Sequence, residues 1–270
     1  AVIYSLLPSV ISVSSVVKSL LCVHRHRGTP IARIPHYDRI ARQWHRVTGW
    51  HGGAFKQHVL NDLLLDAIAS VEGRALLELG AGNGYFLPLA LRRFSGQVPA
   101  RLVVSDASPA LLRIAQTTLS LLDAEYLRLD VREPFPFPDG SFDLILATML
   151  FNELTSAELR PALAECHRVL AASGMLLATV IHPDFTADLA RRGVLRPAHS
   201  ALALMPGAEG IPLPVARRSV VEYTALLTSR GFSVAPTDVY PDEKVLRARP
   251  GLRNAAHVPL ALVFRCRKVA

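Results

Sequence analysis

The chain has 270 residues, half of them apolar and 19% charged, with a formal net charge of +8. That composition excludes an intrinsically disordered chain, and the length suits one large domain or two small ones. Three widely spaced cysteines, Cys22, Cys166 and Cys266, make no C-x-x-C pair. This argues against a disulfide scaffold and a zinc ribbon, and suits a reducing cytoplasm.

The positive charge sits at the start of the chain. Residues 1–46 hold seven Lys or Arg against Asp38, a net of +6, which leaves +2 for the other 224 residues. A basic face for nucleic acid is therefore not expected on the folded body. Ala1–Val23 is apolar but interrupted by six serines, Pro8 and Lys18. It lacks the leading positive charge of a secretory signal and is marginal as a spanning helix. The following His24-Arg25-His26-Arg27 would suit a weak membrane contact. Residues 1–35 are expected to form an extension outside the fold, and residues 36–270 a single domain.

From Pro35 onward, helical and strand-like patterns alternate. Residues Gly53–Ile68 place Phe55, Val59, Leu60, Leu63, Leu64, Ala67 and Ile68 on one helical face. Ala75–Leu79 reads as a short buried strand, followed by glycines 80, 82 and 84 and a helix through Arg93. Arg101–Ser105 is a strand, Ser108–Leu121 a helix, Glu125–Asp130 a strand, and Phe142–Thr148 an almost wholly apolar strand suited to burial on both faces. A helix over Ser156–Leu170 leads to a strand over Met175–Ile181. Pro183–Arg218 is rich in proline and glycine with weak periodicity, and is expected to be a mobile, lid-like insertion. A helix over Ser219–Arg230 precedes two last strands, Phe232–Tyr240 and Val258–Arg267, joined by a polar loop. The fold class that follows is α/β: a Rossmann-like, doubly wound sheet of seven strands, mostly parallel with an antiparallel last strand, and helices on both faces.

The chemistry-bearing residues fall where such strands end. In Leu76-Leu77-Glu78-Leu79-Gly80-Ala81-Gly82-Asn83-Gly84-Tyr85-Phe86 a strand enters a glycine turn and then a helix. Glycines admit close backbone approach of a ligand, and the helix start offers free N–H groups. A dinucleotide fingerprint would carry its third glycine where this chain has Tyr85, which weakens a nicotinamide-dependent oxidoreductase. Asp106 ends the second strand, where it either accepts ribose hydroxyls or caps the next helix. Asp130 with Val131 ends the third strand, suited to an adenine edge or to a simple turn. The fourth strand runs out into Thr148, Met149, Leu150, Phe151, Asn152 and Glu153.

Taken in order, these segments resemble the class I S-adenosylmethionine-dependent methyltransferases, in the group acting mostly on small molecules. The resemblance rests on Leu76–Phe86, on Val103–Pro109, on Leu129-Asp130 with Pro134–Asp143, and on His167-Arg168-Val169-Leu170 with Gly174. Tyr37-Asp38-Arg39-Ile40-Ala41 is similar to a short helix that covers the cofactor. The resemblance implies S-adenosylmethionine as cofactor, with Glu78, Gly80, Ala81, Gly82 and Asn83 at its amino-acid end. It implies Asp106 and Ala107 at the ribose, Asp130 and Val131 at the adenine, and Tyr37, Thr148 and Met149 nearby. No metal is implied.

In-line methyl transfer needs positioning first, and a base only when the acceptor must lose a proton. Candidates for acid–base or orienting roles are His182, Glu153 and Asn152, the last standing where many relatives have His. A nucleic-acid base methyltransferase would usually carry Asn-Pro-Pro-Tyr or Pro-Cys where this chain has Phe151-Asn152-Glu153-Leu154. A small-molecule acceptor is therefore expected, with a nicotinamide-dependent oxidoreductase or an S-adenosylmethionine-binding protein without turnover as the alternatives.

Overall fold

A computed structural model describes residues 33–68, 70–94, 97, 99–197, 202–206, 211–248 and 250–269. The expectations for residues 1–32, including the membrane-contact stretch and Cys22, lie outside the described residues. Helix α1 spans Arg33–Thr48. A helical run then covers Gly53–Phe55, a π turn at Lys56–Leu60, and α2 at Asn61–Ile68. Then follow β1 (Ala75–Leu79), α3 (Phe86–Arg93), β2 (Arg101–Asp106), α4 (Pro109–Thr118), β3 (Glu125–Arg128) and β4 (Phe142–Thr148). Helix α5 (Ser156–Val169) starts with a capping box in which Thr155 and Glu158 satisfy each other's backbone N–H groups. It runs directly into β5 (Leu170–Ile181).

The main sheet has seven strands, and β2, β1, β4 and β5 pair in parallel with β3 outside β2. Strand β10 (Ala261–Lys268) inserts antiparallel between β5 and β9 (Phe232–Val239), so the last strand alone reverses direction. The seven-stranded doubly wound expectation holds. Alternation along each strand divides the core. Leu76, Leu144, Leu146 and Leu177 face the layer of α2 and α3, whereas Leu77, Ile145, Leu176 and Leu262 face that of α5. Strands β1 and β4 leave the sheet in opposite topological directions, and ligands of open α/β sheets bind in the crevice that opens there.

Two stretches differ from the sequence reading. Pro183–Arg218 is not structureless: Pro183–Arg191 forms helix α6, and β6 (Arg196–Pro197), β7 (Leu202–Pro206) and β8 (Pro212–Ala216) form a separate antiparallel sheet. Prolines at strand ends and a three-stranded edge-rich sheet hide the usual period-2 signal. The end of this segment is tied down by buried Arg218, which donates to Ser156 Oγ at 3.0 Å, to the Phe151 carbonyl at 3.2 Å and to the Leu154 carbonyl. Helix α7 (Val220–Thr228) follows it, and the loop between the last strands holds α8 (Glu243–Ala248) and a 3-10 turn at Pro250–Ala255. Among the described residues no helix is long and apolar enough to cross a membrane.

Candidate functional site

The glycine turn is held from below. Ala81 N–H donates to the Ser105 carbonyl at 2.9 Å, and Ser105 Oγ donates to the Glu78 carbonyl at 2.8 Å, locking β1 to β2 at their carboxyl ends. Gly82 has φ of 61°, a left-handed value that side chains rarely adopt. A Cβ there would touch only Trp44 Nε1, at 3.5 Å, an ordinary van der Waals contact. Gly84 has a different job: a Cβ there would meet Ala115 Cβ and Leu119 Cδ1 at 3.1 Å, so it lets the turn pack on α4.

Asp106 reaches back to this turn. Its Oδ2 accepts Gly82 N–H and its Oδ1 accepts Ser108 N–H, both at 2.8 Å. The cap of α4 is Ser108, whose Oγ accepts Leu111 N–H at 3.2 Å, so Asp106 is not the helix cap. Ser108 Oγ in turn donates to Asp38 Oδ1 at 2.5 Å, and Ala110 N–H to the same oxygen at 3.1 Å. Through Asp38, α1 is seated over the ends of β1 and β2.

These elements enclose a cavity of about 530 Å³, within the range of small-molecule sites. Tyr37, Glu78, Gly80, Ala81, Gly82, Asn83, Asp106, Ala107, Asp130, Val131, Thr148, Met149, Asn152 and Glu153 all line it. The structure thus brings together every site residue expected from the sequence except one. His182 does not line the cavity. It is 1% exposed; its Nδ1 accepts Asp184 N–H at 3.0 Å and its Nε2 lies 3.2 Å from Asp238 Oδ1. A residue before Pro183 is held extended and turns its side chain onto the new helix. His182 is a cap, and its candidacy as a base is withdrawn.

The cavity's polar groups differ in what they already hold. Asp130 takes Arg132 Nε at 2.8 Å and Nη2 at 2.5 Å; burial alone would push its carboxyl up, but these bonds outweigh it and hold the carboxyl below its usual value. The Tyr37 hydroxyl donates to Glu153 Oε1 at 2.5 Å, and burial with the Glu153 charge pushes the phenol well above its usual value. Glu78, by contrast, is buried with Oε2 unpartnered, as is Asn83 Oδ1, although Asn83 Nδ2 reaches the Gly49 carbonyl at 2.8 Å. Asn152 Oδ1 is also buried without a partner. At the end of β4, Met149 adopts φ of 57°, held there by its N–H bond to the Thr179 carbonyl at 2.9 Å.

Lys56 is a functional candidate that sequence reasoning missed. Its ammonium lies 4.8 Å from the Tyr85 ring centre and 5.9 Å from that of Trp44, inside the cavity. The signal was present: Lys56 precedes buried Val59 and Leu60 by three and four residues, a cation on the apolar face of its helix.

Burial pushes the Glu78 carboxyl up to about 8 despite nearby Lys56, and Asp106 up to about 6 despite its N–H donors. Burial also lowers Lys56 to about 8. Above pH 4.5 the folded chain keeps a Glu78 proton that the unfolded chain has lost, so stability falls as pH rises, the loss being complete near pH 8. Glu78→Gln is expected to flatten that decline, as read by denaturant unfolding at both ends of the range.

Comparison with known proteins follows this geometry. Residues 76–174 match a family profile described as a methyltransferase domain. The chain is 32% identical over 114 residues to a malonyl-[acyl-carrier protein] O-methyltransferase of Coxiella burnetii, covering 42% of this chain and 36% of the relative. It is 28% identical over 163 residues to the ubiquinone/menaquinone biosynthesis C-methyltransferase UbiE of an Enterobacter species, covering 54% and 61%. The chain therefore spans less than two thirds of the length of these curated relatives. Among solved structures, an S-adenosylmethionine-dependent methyltransferase from Mesorhizobium loti superposes with a TM-score of 0.62 at 20% identity, over 82% of this chain and all of that one. The [4+2]-cyclase SpnF gives 0.62 at 19% identity over 90% of this chain and all of its own. At such identities the likeness is one of fold.

Proposed function

We propose, from the methyltransferase-domain match of residues 76–174 and the class I S-adenosylmethionine-dependent methyltransferase fold, that the chain transfers a methyl group from S-adenosylmethionine to a small-molecule acceptor. One observation carries the cofactor assignment. Glu78 and Asn83 flank the open face of Gly82 with buried oxygens that lack a donor. Buried oxygens at a turn whose glycine admits close approach suit the ammonium of an amino-acid end, whose charge would favour the ionised Glu78 carboxyl, and the Lys56 cation beside them suits its carboxylate. Asp106 would hold the ribose hydroxyls and Asp130 with Val131 the adenine. When bound, the cofactor supplies an electrophilic methyl group on a sulfonium.

The protein's own residues position, shield and accept a proton. Asn152 offers an amide oxygen to the acceptor, and Glu153, steadied by the Tyr37 hydroxyl, stands as proton acceptor. Helix α1, helix α6 and strand β8 line the crevice and would limit the entry of water to it. The malonyl and quinone-biosynthesis relatives support a small acceptor group by their names. Buried free thiols Cys166 and Cys266 support a reducing, cytoplasmic setting. Calorimetry with S-adenosylmethionine, S-adenosylhomocysteine and a nicotinamide dinucleotide tests the reading; binding of the dinucleotide alone would replace it with an oxidoreductase.

Asp106→Ala is expected to weaken S-adenosylhomocysteine binding by about 1.5–3 kcal/mol, the scale of a hydrogen bond to a charged group. Each carboxylate oxygen already accepts one N–H and retains a lone pair for a hydroxyl. The same change strands the Gly82 and Ser108 N–H groups, so the melting temperature should fall too. Asp106→Asn keeps one acceptor oxygen, and its smaller loss of stability at a similar loss of affinity separates the two roles.

A further inference from the structure

Resting on the methyl-transfer reading, we infer that the acceptor is an uncharged, largely apolar molecule whose reacting group sits at Asn152 and the Tyr37–Glu153 pair. The cavity changes character along the sheet. Over β1, β2 and β3 it presents Glu78, Asp106 and Asp130; over β4 and β5 it presents Leu150, Ile181, Phe185, Leu189, Leu213 and Val215. Those six come from the turn after β4, the end of β5, helix α6 and strand β8, elements far apart in sequence that converge on one wall. Val215 is 1% exposed and Phe185 8%, so this wall is part of the packed body.

The wall itself carries no charged residue. Among the described lining residues the cations are Lys56 and Arg132. Lys56 lies over the Tyr85 and Trp44 rings on the Glu78 side, and Arg132 is bound by Asp130. Neither is on the apolar wall, so an anionic acceptor would be buried there without a counter-charge. The wall carries no acidic residue either, so a cation seated on it would be buried without a counter-charge; Glu153 stands only at its polar margin, where it accepts the Tyr37 hydroxyl. An apolar molecule with one polar group fits both parts: its body covers the wall, and the group reaches the unpartnered Asn152 oxygen.

The test uses the full chain saturated with S-adenosylhomocysteine, with the neutral apolar fluorophore prodan as probe. Saturable, blue-shifted emission is expected, displaced by 1-decanol at concentrations lower by about tenfold or more than those needed for decanoate or decylamine. Leu213→Lys, at a half-buried wall position, should shift the preference toward decanoate by about tenfold while leaving S-adenosylhomocysteine affinity unchanged. Leu189→Lys provides the same reversal should the first variant fail to fold, as judged by its melting curve. Calorimetry that shows no S-adenosylhomocysteine binding would overturn the methyl-transfer reading itself. If that ligand binds, but prodan does not saturate or either charged chain competes as well as the alcohol, the apolar-acceptor inference fails alone.

Discussion

Gly82→Val is expected to lower S-adenosylhomocysteine affinity by about 100-fold or more, beyond the reach of routine calorimetry, while the chain still melts cooperatively. The backbone at Gly82 has φ of 61°, so an L-residue held there costs about 1–2 kcal/mol of stability with or without ligand. The affinity loss comes from volume. A Cβ at this position meets nothing within 4 Å except Trp44 Nε1, so the two methyl groups of valine project into the space assigned to the cofactor. Gly82→Ala should fall between, since it adds only the Cβ. Gly84→Val is the control: its side chain would strike Ala115 and Leu119, so it should lower the melting temperature first. Wild-type affinity in Gly82→Val would place the cofactor away from the glycine turn.

Glu153→Gln is expected to reduce turnover of a proton-losing acceptor by about 10²–10⁴-fold, the usual contribution of a positioned base. The amide retains an oxygen for the Tyr37 hydroxyl, so the 2.5 Å contact and the seating of α1 are preserved. S-adenosylhomocysteine affinity and melting temperature should therefore stay near wild type, and the loss should appear in kcat more than in KM. Full activity in this variant would leave positioning as the sole contribution of the chain's residues to methyl transfer.

The parallel sheet and its site end were legible in the sequence because their signals are local. Buried strands such as Ala75–Leu79 and Phe142–Thr148 are apolar runs bounded by glycine or polar residues, and the cavity-lining residues fall at the strand ends or within a few residues beyond them. Glu78, Gly82, Asp106 and Asn152 could thus be named from spacing and family likeness before any geometry was known. Helix α5 was equally plain, expected over Ser156–Leu170 and found over Ser156–Val169.

What failed was long-range or masked by special residues. His182 stands next to a strand end and so looked poised for chemistry, but the proline after it turns the ring onto α6 and toward Asp238. Lys56 was not singled out in the sequence; its place in the cavity depends on Trp44 from α1 and Tyr85 from the start of α3. Nothing local couples three segments so far apart.

The sequence by itself determined the order of strands and helices, the glycine turn and the carboxylates at the sheet's carboxyl edge, since backbone conformation and strand burial depend on near neighbours. The tertiary structure alone decided which of those polar groups keep an unspent hydrogen bond. It also decided that Arg218 anchors the Pro183–Arg218 segment and that α6 and β8 supply the apolar wall. The physical reason is that partner satisfaction and desolvation are properties of a whole cavity. Asp130 meets Arg132 within its own turn, while Glu78 and Asn152 keep bare oxygens only because elements more than a hundred residues apart close over them.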